Sequence, residues 1–439
     1  MADDRLSRAA VLAHLAAVHQ LDGGADPRVL DTGVQDTPPG TTAARALRAR
    51  GFPAGGAGLA LVHGARGAMH VHRAADLADL AAALRPDDAA DLRPQTFGPF
   101  LATAGVEIGA ALDEVAAAMA EVMADGARRS KGSLSAALRV DERLRPWCEG
   151  CGVAHVHDGL FRLASLPAGL RLIPNGDGSA DFVPGAAPPP QPSPPPQSPP
   201  PQSPPPQSLS QLPPLSQSPP PPSPPQSSPP PSPPLSQSPP LSQSPPPPQS
   251  PPPPQSPPPQ SSSPLPSPSS LPSSPLASSR PTARRELVRR FVRLAGPTDR
   301  AGLAAWLGLS PAAARRWWSL VAADLVTVDV DGRTLSLHRD DLDAARSAPP
   351  ARGVRLLPPY DPILELCDRA LLVPDPSARK QVWRAVANPG VVLARGEVVG
   401  VWRHRKETTT ITPFRPLSTS VRREITRATE GEVTIADPT

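Results

Sequence analysis

The fold prediction rests mainly on residues 298–338, which read TDRAGLAAWLGLSPAAARRWWSLVAADLVTVDVDGRTLSLH. Its first part predicts a short helix that ends at Gly308, and Ser310 with Pro311 is a strong start signal for a longer helix. Two runs of alternating apolar residues then flank Asp331-Gly332, which is typical of a β-hairpin. Helix, turn, longer helix and two-stranded wing is the order of a winged helix-turn-helix.

The residues just before this stretch supply the first helix of the same unit. The segment ARRELVRRFVRLAGP (283–297) carries Leu287, Phe291 and Leu294 along one stripe and ends at Gly296 and Pro297. In a winged helix the longer helix normally enters the major groove of DNA, and its first turns contact bases or phosphates.

Three arginines of this unit are therefore candidate DNA-binding residues. Arg315 and Arg316 lie on the longer helix, and Arg333 lies at the tip of the wing, where it is expected to contact a phosphate. The alternative is that all three are solvated arginines on a winged helix that packs against protein instead of DNA.

Composition limits the remaining function classes. The 439 residues carry a net charge of +4, and 40 acidic residues nearly balance 44 basic ones, so DNA affinity has to come from local patches. Aromatic residues make up 3%, which argues against a base-stacking platform for single strands. No apolar run reaches the roughly 20 residues of a membrane span. We expect a soluble, cytoplasmic monomer without a small-molecule cofactor.

Residues Val183 to Ser279 contain no charged and no aromatic side chain and repeat units such as PPPQS. Such a segment cannot bury a core and is predicted to be a disordered, polyproline-like coil. It serves either as a spacer or tolerated insertion, or as a docking site for an SH3- or WW-like partner. The predicted organisation is an N-terminal winged-helix region 1–182, an insertion 183–280, a winged-helix domain 281–348 and a C-terminal α/β region 349–439.

The flanking regions have mixed signals. Helices are predicted for residues 6–20, 41–50 and 106–124, with short strands at 59–62 and 69–71. Between Val391 and Phe414 the alternating pattern predicts a small sheet or barrel. Arg403 and Arg405 in this part would contact phosphates or, equally, protect a solvated strand edge. The fold class is mainly α with small β, built from tandem winged helices and a small β-barrel-like element.

Several strings together resemble one bacterial family, the winged-helix DNA-binding proteins that include the AlkZ-type DNA glycosylases. The strings occur in the family's order: GVQDTPPG (33–40), RGAMH (66–70), RPWCEGCGVAHV (145–156), LFRLASLPAGL (160–170), GLAAWLGLSPAAARRWW (302–318), VRLLPPYDPILELCDRALLVPD (354–375) and NPGVVLARGEVVGVWR (388–403). The resemblance implies three winged helices and a β-barrel that form a clamp around duplex DNA. It also implies that both sides of the proline-rich segment belong to one assembly.

The resemblance further implies a catalytic motif. Similar glycosylases use Gln-x-Gln or Gln-x-Asp on a short extended segment to hold a water near the glycosidic bond of an alkylated purine. Gln35 matches the first position, and Thr37 stands at the second. In an extended segment these two side chains share a face while Asp36 points away, unless the turn at Pro38-Pro39 rotates Asp36 inward. The alternative role of Gln35 is to bond backbone groups of the turn.

The same resemblance includes Arg66 and His70 of the RGxxH string. His70 would contact a phosphate or line the DNA cleft, and the alternative is a histidine bonded to neighbouring backbone. Asp361 and the neighbouring Asp368-Arg369 match two further elements of the family, and we expect the Asp-Arg pair to hold a loop.

Cys148, Cys151, His155 and His157 form a set of side chains that zinc would accept. Their spacing lacks the second knuckle of common zinc fingers, so the prediction is two buried reduced thiols, ordinary histidines and no metal.

Two functions remain. The first is a DNA N-glycosylase that hydrolyses the glycosidic bond of alkylated purines, with Gln35 orienting water and Thr37 or Asp36 assisting. The second is a non-catalytic regulator or scaffold that binds duplex DNA, which the threonine at position 37 favours.

Overall fold

The computed structural model describes residues 4–56, 58–93, 100, 104–185, 278–429 and 431–438. Most of the predicted insertion 183–280 therefore lies outside the described residues. The chain on its two sides, Met1–Gln191 and Ser274–Thr439, forms one compact unit. Among the described helices, none is long and apolar enough to cross a membrane.

The part of the chain before residue 186 combines helices with a five-stranded sheet. Among the described residues the helices are α1 Arg8–Val18, α2 Thr42–Arg48, α3 Leu77–Leu84, α4 Ile108–Val122, α5 Lys131–Ala137 and α6 Asp158–Ser165. The strands are β1 Arg5–Leu6, β2 Val34–Gln35, β3 Leu59–His63, β4 Met69–Arg73, β5 Trp147–Cys148, β6 Val153–Ala154, β7 Leu170–Pro174 and β8 Ala180–Pro184. Strands β2, β4, β3, β7 and β8 form the sheet in that order, and β5 pairs only with β6.

Local sequence signals explain where these elements begin and which faces they bury. Ser7 caps α1, since its hydroxyl accepts a hydrogen bond from the Ala10 N–H at 3.2 Å. Helices α4 and α6 pack together over the sheet, with Met119 and Phe161 fully buried. The Phe161 ring meets Phe182 of β8 edge to face at 5.5 Å, which closes this core on the sheet.

The stretch after the proline-rich segment folds as its sequence indicates. Its elements are α7 Arg280–Ala295, α8 Arg300–Leu307, α9 Pro311–Ser319, β9 Leu325–Val330 and β10 Arg333–His338. Gly308 takes a left-handed φ of 69° at the end of α8, and the Ser310 hydroxyl accepts from the Ala313 N–H at 3.3 Å to cap α9. Strand β1 lies parallel to β9, so the first described residues of the chain belong to the sheet of this unit.

The C-terminal part forms a second five-stranded sheet. Its elements are α10 Leu342–Ser347, β11 Val354–Leu357, α11 Pro362–Leu366, α12 Arg369–Leu372, α13 Pro376–Val382, β12 Gly390–Ala394, β13 Glu397–Arg405, β14 Thr408–Pro413, α14 Thr419–Ala428 and β15 Glu432–Ile435. The sheet order runs from β11 to β15, so it is open and not closed into the predicted barrel. The edge strands β11 and β15 do not pair with each other, and α14 packs on β11 with the fully buried Ile425 in the sheet's core.

A buried ion pair joins the two parts of the chain that flank the proline-rich segment. Arg50, just after α2, donates two hydrogen bonds to the Asp361 carboxylate, at 2.8 and 2.7 Å, and neither side chain is exposed to solvent. The largest hydrophobic core also draws on both sides of the proline-rich segment, with Leu15 from α1 and Phe291 from α7. The two sides therefore share the largest core.

Candidate functional site

Strand β2 places the predicted motif at the edge of the first sheet. Val34 and Gln35 pair with Val71 and His70 of β4, and the strand begins after Gly33, whose φ is +82°. A Cβ at Gly33 would lie 2.3 Å from the His72 ring, so only glycine lets the backbone pass this close. Gln35 itself is buried, with 8% of its surface exposed.

Gln35 and Thr37 share a face, as the extended segment predicts. The Gln35 Nε2 donates a hydrogen bond to Thr37 Oγ1 at 3.3 Å. On its other side the Gln35 Oε1 accepts from Arg66 Nη2 at 3.2 Å. The amide therefore has a fixed orientation and still keeps one N–H and one lone pair for a further partner.

Arg66 connects three separate segments around this amide. Its Nη2 also donates to Glu365 Oε2 of α11 at 2.9 Å, and its Nη1 donates to the Trp306 carbonyl of α8 at 2.6 Å. The backbone at Arg66 is left-handed, with φ of 58°. Thr37, Gln35, Arg66 and Glu365 form one polar chain, which we call the Gln35 network.

Asp36 lies on the opposite face and has a structural role. Its carboxylate accepts hydrogen bonds from the N–H groups of Gly40 at 2.5 Å, Thr41 at 3.0 Å and Ala43 at 3.0 Å, at the start of α2. Asp36 is 3% exposed. The structure does not rotate it toward Gln35, so we leave it out of the catalytic set.

His70 pairs with Gln35 between strands β2 and β4 and is buried, not on the surface. Its Nδ1 lies 2.9 Å from the Ala68 carbonyl, which corresponds to the backbone-bonded alternative for this residue. Burial lowers the pKa of His70 to about 4, so the ring is neutral near pH 7 and provides no charge for a phosphate.

Two of the three candidate arginines of the 280–338 unit are held by carboxylates. Arg316 forms an ion pair with the nearly buried Asp91. Arg333 donates two hydrogen bonds to Asp368, at 2.8 and 2.7 Å. Arg315 is exposed and has no ion pair among the described residues. Of these three arginines, Arg315 is therefore the one whose charge is available to an external anion.

Arg315 lines a surface cleft of about 660 Å³ at the start of α9. Two further arginines line it, Arg93 and Arg300, together with Asp299 and the apolar residues Ala301, Ala304, Leu309, Pro311 and Ala314. Arg93 is brought there because its backbone N–H donates to the Gly308 carbonyl at 2.9 Å. Three arginines around a concave surface produce the local positive patch that the net charge does not reveal.

A second basic patch lies at the end of β13. Arg405 is exposed, and Arg403 donates to the Ala387 carbonyl at 3.1 Å. Burial lowers the pKa of Arg403, and the positive charges of Arg384 and Arg405 lower it further. The patch is compatible with phosphate contact and with protection of a strand edge.

Asp361 and Asp368, which match elements of the family that the sequence resembles, have structural partners. Besides pairing with Arg50, Asp361 caps α11 by accepting from the Ile363 N–H at 3.1 Å. Asp368 caps α12 and binds Arg333, while Arg369 stacks over the Trp383 ring at 5.0 Å. The neighbouring Asp368 and Arg369 thus hold the chain through different partners and not through each other.

The expectation of buried thiols is wrong for the Cys148 and Cys151 pair. Cys148 is partly exposed and Cys151 is exposed, because the hairpin β5–β6 lies at the surface. Ligand atoms of Cys148, Cys151 and His155 lie within 4.8 Å of one another. A hydrogen bond with His155 lowers the pKa of the Cys148 thiol. His157 is not part of this cluster and instead accepts from the Gly159 N–H at 3.2 Å to cap α6.

Sequence reasoning did not single out Glu365, Arg93 or Arg300 as site residues. Glu365 lies inside a string that carries the family resemblance, but 299 positions separate it from Arg66. Arg300 directly follows the helix-capping residue Asp299, so its exposed position was readable from the cap. No neighbouring residue indicated the position of Arg93, because a backbone hydrogen bond to the distant Gly308 holds it there.

Comparison with known proteins agrees with this architecture. A family model described as DNA glycosylase AlkZ-like matches residues 9–209 and 242–431. An interstrand DNA cross-link repair glycosylase from Streptomyces sahachiroi is 29% identical over 136 residues, which span 29% of this chain and 36% of that protein. The solved structure of Streptomyces sahachiroi DNA glycosylase AlkZ has a TM-score of 0.61 at 18% identity and covers 98% of this chain and 100% of its own.

Proposed function

The chain belongs to the AlkZ-like DNA glycosylase family, and from this we propose that it is a DNA N-glycosylase that excises alkylated purines from duplex DNA. The observation that carries the proposal is the fixed Gln35 amide, held between Thr37 Oγ1 and the Arg66 guanidinium at the edge of the first sheet. The relative's name adds a substrate class to test, which is duplex DNA with an interstrand cross-link.

The proposed DNA-binding unit is a winged helix formed by residues 280–338. Helices α7, α8 and α9 with the hairpin β9–β10 have the required order, and the basic cleft lies at the start of α9. Helix α9 would lie in or across a groove, with Arg315 and Arg300 binding phosphates. Arg316 and Arg333 keep Asp91 and Asp368 neutralised, so their main contribution is to hold the unit in place.

The proposed chemistry demands little from the protein because the substrate supplies much of the driving force. A purine alkylated at N7 or N3 is cationic and leaves as a neutral base when its bond to C1′ breaks. The oxygen of a water molecule forms the new bond to C1′, and the water loses a proton to solvent. The enzyme then has to orient that water and stabilise positive charge on the sugar.

Gln35 is suited to the first requirement, which is to orient the attacking water. One amide N–H is used by Thr37 and one lone pair of Oε1 by Arg66, so the remaining N–H and lone pair have defined directions. Thr37 Oγ1 accepts from Gln35, which leaves its own O–H to donate. An amide and a hydroxyl oriented in this way hold a water without acting as a base.

Glu365 is suited to the second requirement, which is to stabilise positive charge on the sugar. A cationic Arg66 beside the reaction centre would oppose positive charge on the sugar. Glu365 pairs with the same Nη2 atom that binds Gln35 and offsets that charge. In this proposal Gln35 and Thr37 contact the water, while Arg66 and Glu365 position Gln35 and balance the charge around it.

The test is base release from duplex DNA that carries N7-methylguanine, with a cross-linked duplex as a second substrate. Wild-type protein is expected to release the modified base, and Gln35→Ala is expected to lose release while it keeps duplex affinity and thermal stability. Gln381→Ala, a glutamine on α13 outside the Gln35 network, is the matched control and should retain release.

One observation favours a second function, a DNA-binding protein without catalysis. Thr37 stands where similar enzymes carry an amide or a carboxylate, and a hydroxyl cannot stabilise a sugar cation as a carboxylate does. Salt-sensitive duplex binding by wild-type protein, without release of base from either substrate, would establish this function and overturn the glycosylase proposal.

A further inference from the structure

The small hairpin β5–β6 carries a cluster of potential metal ligands that the proposed glycosylase chemistry does not use. We propose that Cys148, Cys151 and His155 bind one zinc ion at the tip of this hairpin. The two thiolates and the imidazole come from a Cys-x2-Cys-x3-His sequence, and all three ligand atoms lie within 4.8 Å of one another.

The geometry of the cluster is close to that of a zinc site. Zn–S and Zn–N bonds of about 2.3 and 2.0 Å place tetrahedral ligand atoms roughly 3.5 to 3.8 Å apart. Movements of the side chains that shorten the longest separation by about 1 Å would bring the three ligand atoms to these spacings. Cys148 is partly exposed and Cys151 is exposed, so both side chains have room for such movements.

The second, independent observation is the orientation of the His155 ring. Its Nδ1 lies 2.8 Å from the Val156 carbonyl, so Nδ1 carries the proton and donates it to that oxygen. This leaves Nε2, the nitrogen on the Cys148 side of the ring, as the atom that would bind a metal in place of its hydrogen bond with Cys148. A ligating histidine usually bonds a backbone carbonyl or carboxylate through its other nitrogen in this way, which fixes the tautomer.

The backbone of the turn is also shaped to hold two cysteines close together. The N–H groups of Cys151 and Gly152 both donate to the Cys148 carbonyl, at 3.1 and 2.8 Å. Gly152 has a φ of +65°, which a residue with a side chain rarely adopts, and it turns the chain back into β6. The turn therefore presents the two thiols on one side before any metal is bound.

The hairpin would gain from such a cross-link. It has only two residue pairs, Trp147 with Ala154 and Cys148 with Val153, and its large apolar side chains Trp147 and Val153 are 62% and 53% exposed. A two-stranded hairpin without a buried face is marginally stable in water. A metal that joins the turn to the residue after β6 would hold it in one conformation.

The ligand set selects the metal. Two thiolates and one imidazole favour zinc over the hard cations, which take oxygen ligands. Three protein ligands leave a fourth position that water or an external donor fills. His157 does not supply it, because its Nδ1 caps α6 and its ring stacks on Phe100 at 4.6 Å.

The experiment measures metal binding by the reduced full-length protein. Zinc is titrated anaerobically, and cobalt replaces zinc so that the thiolate-to-metal absorption reports the ligands. Wild-type protein is expected to bind one zinc per chain. Cys148→Ser, Cys151→Ser and His155→Asn should each weaken binding at least 10-fold. His157→Asn keeps a capping side chain and should bind as wild type does.

X-ray absorption at the zinc edge gives a readout on the wild-type protein that does not depend on variants, with two sulfur and one imidazole ligand expected. The proposal is overturned if the reduced wild-type protein binds no zinc. It is also overturned if the ligand variants bind zinc as tightly as His157→Asn. Base release by the zinc-free protein is measured in parallel and tests the glycosylase proposal separately.

Discussion

Arg50 and Asp361 form a fully buried, two-bond ion pair across 311 positions of sequence. Arg50 further donates to the backbone carbonyls of His19 and Ala46, both at 2.8 Å, so its guanidinium is enclosed by acceptors. The pair ties the segment after α2 to the start of α11, the helix that carries Glu365. It therefore links the fold of the two chain halves to the geometry of the Gln35 network.

Asp361→Asn tests this link. Asparagine keeps the cap on Ile363 but leaves the Arg50 charge buried without a counterion, and breaking a buried pair in this way costs about 3–5 kcal/mol. Urea denaturation should show that loss in the free energy of unfolding. Asp343→Asn is the control, since Asp343 is 98% exposed and its ion pair with Arg346 is worth at most about 1 kcal/mol. Equal effects of the two variants would contradict the role of the Arg50–Asp361 pair.

Buried histidines predict that the protein loses stability in mild acid. Burial lowers the pKa of His19, His63 and His72 to about 3 and that of His70 to about 4, against about 6.5 in an unfolded chain. Below pH 6.5 the unfolded state thus binds more protons than the folded state, and the free energy of unfolding falls as the pH falls. Each of these groups contributes up to ~1.4 kcal/mol per pH unit between 6.5 and its folded pKa.

The measurement is the free energy of unfolding from pH 7.5 to 4.5. A hydrogen bond from Arg284 lowers the pKa of Asp87 below 3.8, so that carboxylate affects stability only at lower pH. His70→Asn removes one titrating ring and can keep a bond to the Ala68 carbonyl, and it should reduce the slope. A stability that stays constant down to pH 5 would contradict the burial of these rings in their neutral form.

The sequence predicted well those features that depend on neighbouring residues. Ser310, Gly308 and Asp331-Gly332 each determine a cap or turn within four residues, and the structure has α9, its preceding turn and the β9–β10 hairpin there. Gln35 and Thr37 face the same side because extended backbone alternates its side chains, which is again a local property.

Contacts between distant residues were not predictable from the same signals. The sequence shows that Arg333 is charged and lies near a turn. It does not show that Asp368 binds Arg333, because many other carboxylates of the chain could equally have paired with it. The same holds for Arg316 with Asp91 and for Arg66 with Glu365. Asp36 was a catalytic candidate because of its position in the motif. In the structure its carboxylate instead accepts hydrogen bonds from three backbone N–H groups at the start of α2.

Thr37→Asp and Thr37→Val separate the two tasks of the Gln35 network. Asp keeps an acceptor for Gln35 Nε2 and adds a negative charge beside the sugar, so base release should rise about 10-fold or more. Val keeps the shape but removes the hydroxyl, and release should fall about 10-fold or more through the loss of water positioning. Single-turnover release with N7-methylguanine DNA measures both. Unchanged rates in both variants would show that position 37 does not face the reacting sugar.

Arg315→Gln should weaken duplex binding more than Arg316→Gln, although the two residues are adjacent on α9. Arg315 lines the basic cleft with Arg93 and Arg300 and has no ion pair among the described residues, so its charge is available to a phosphate. Arg316 neutralises Asp91, whose side chain is 6% exposed, and this competes with any phosphate. This difference is measured by the salt dependence of binding.

Each phosphate contact adds about 0.9 to the slope of log affinity against log salt. Fluorescence anisotropy with an undamaged duplex should therefore give a slope smaller by about that amount in Arg315→Gln and in Arg300→Gln, and a slope little changed in Arg316→Gln. The reverse order, with Arg316→Gln losing the larger slope at unchanged thermal stability, would place the DNA on the Asp91 side of α9 and not in the cleft.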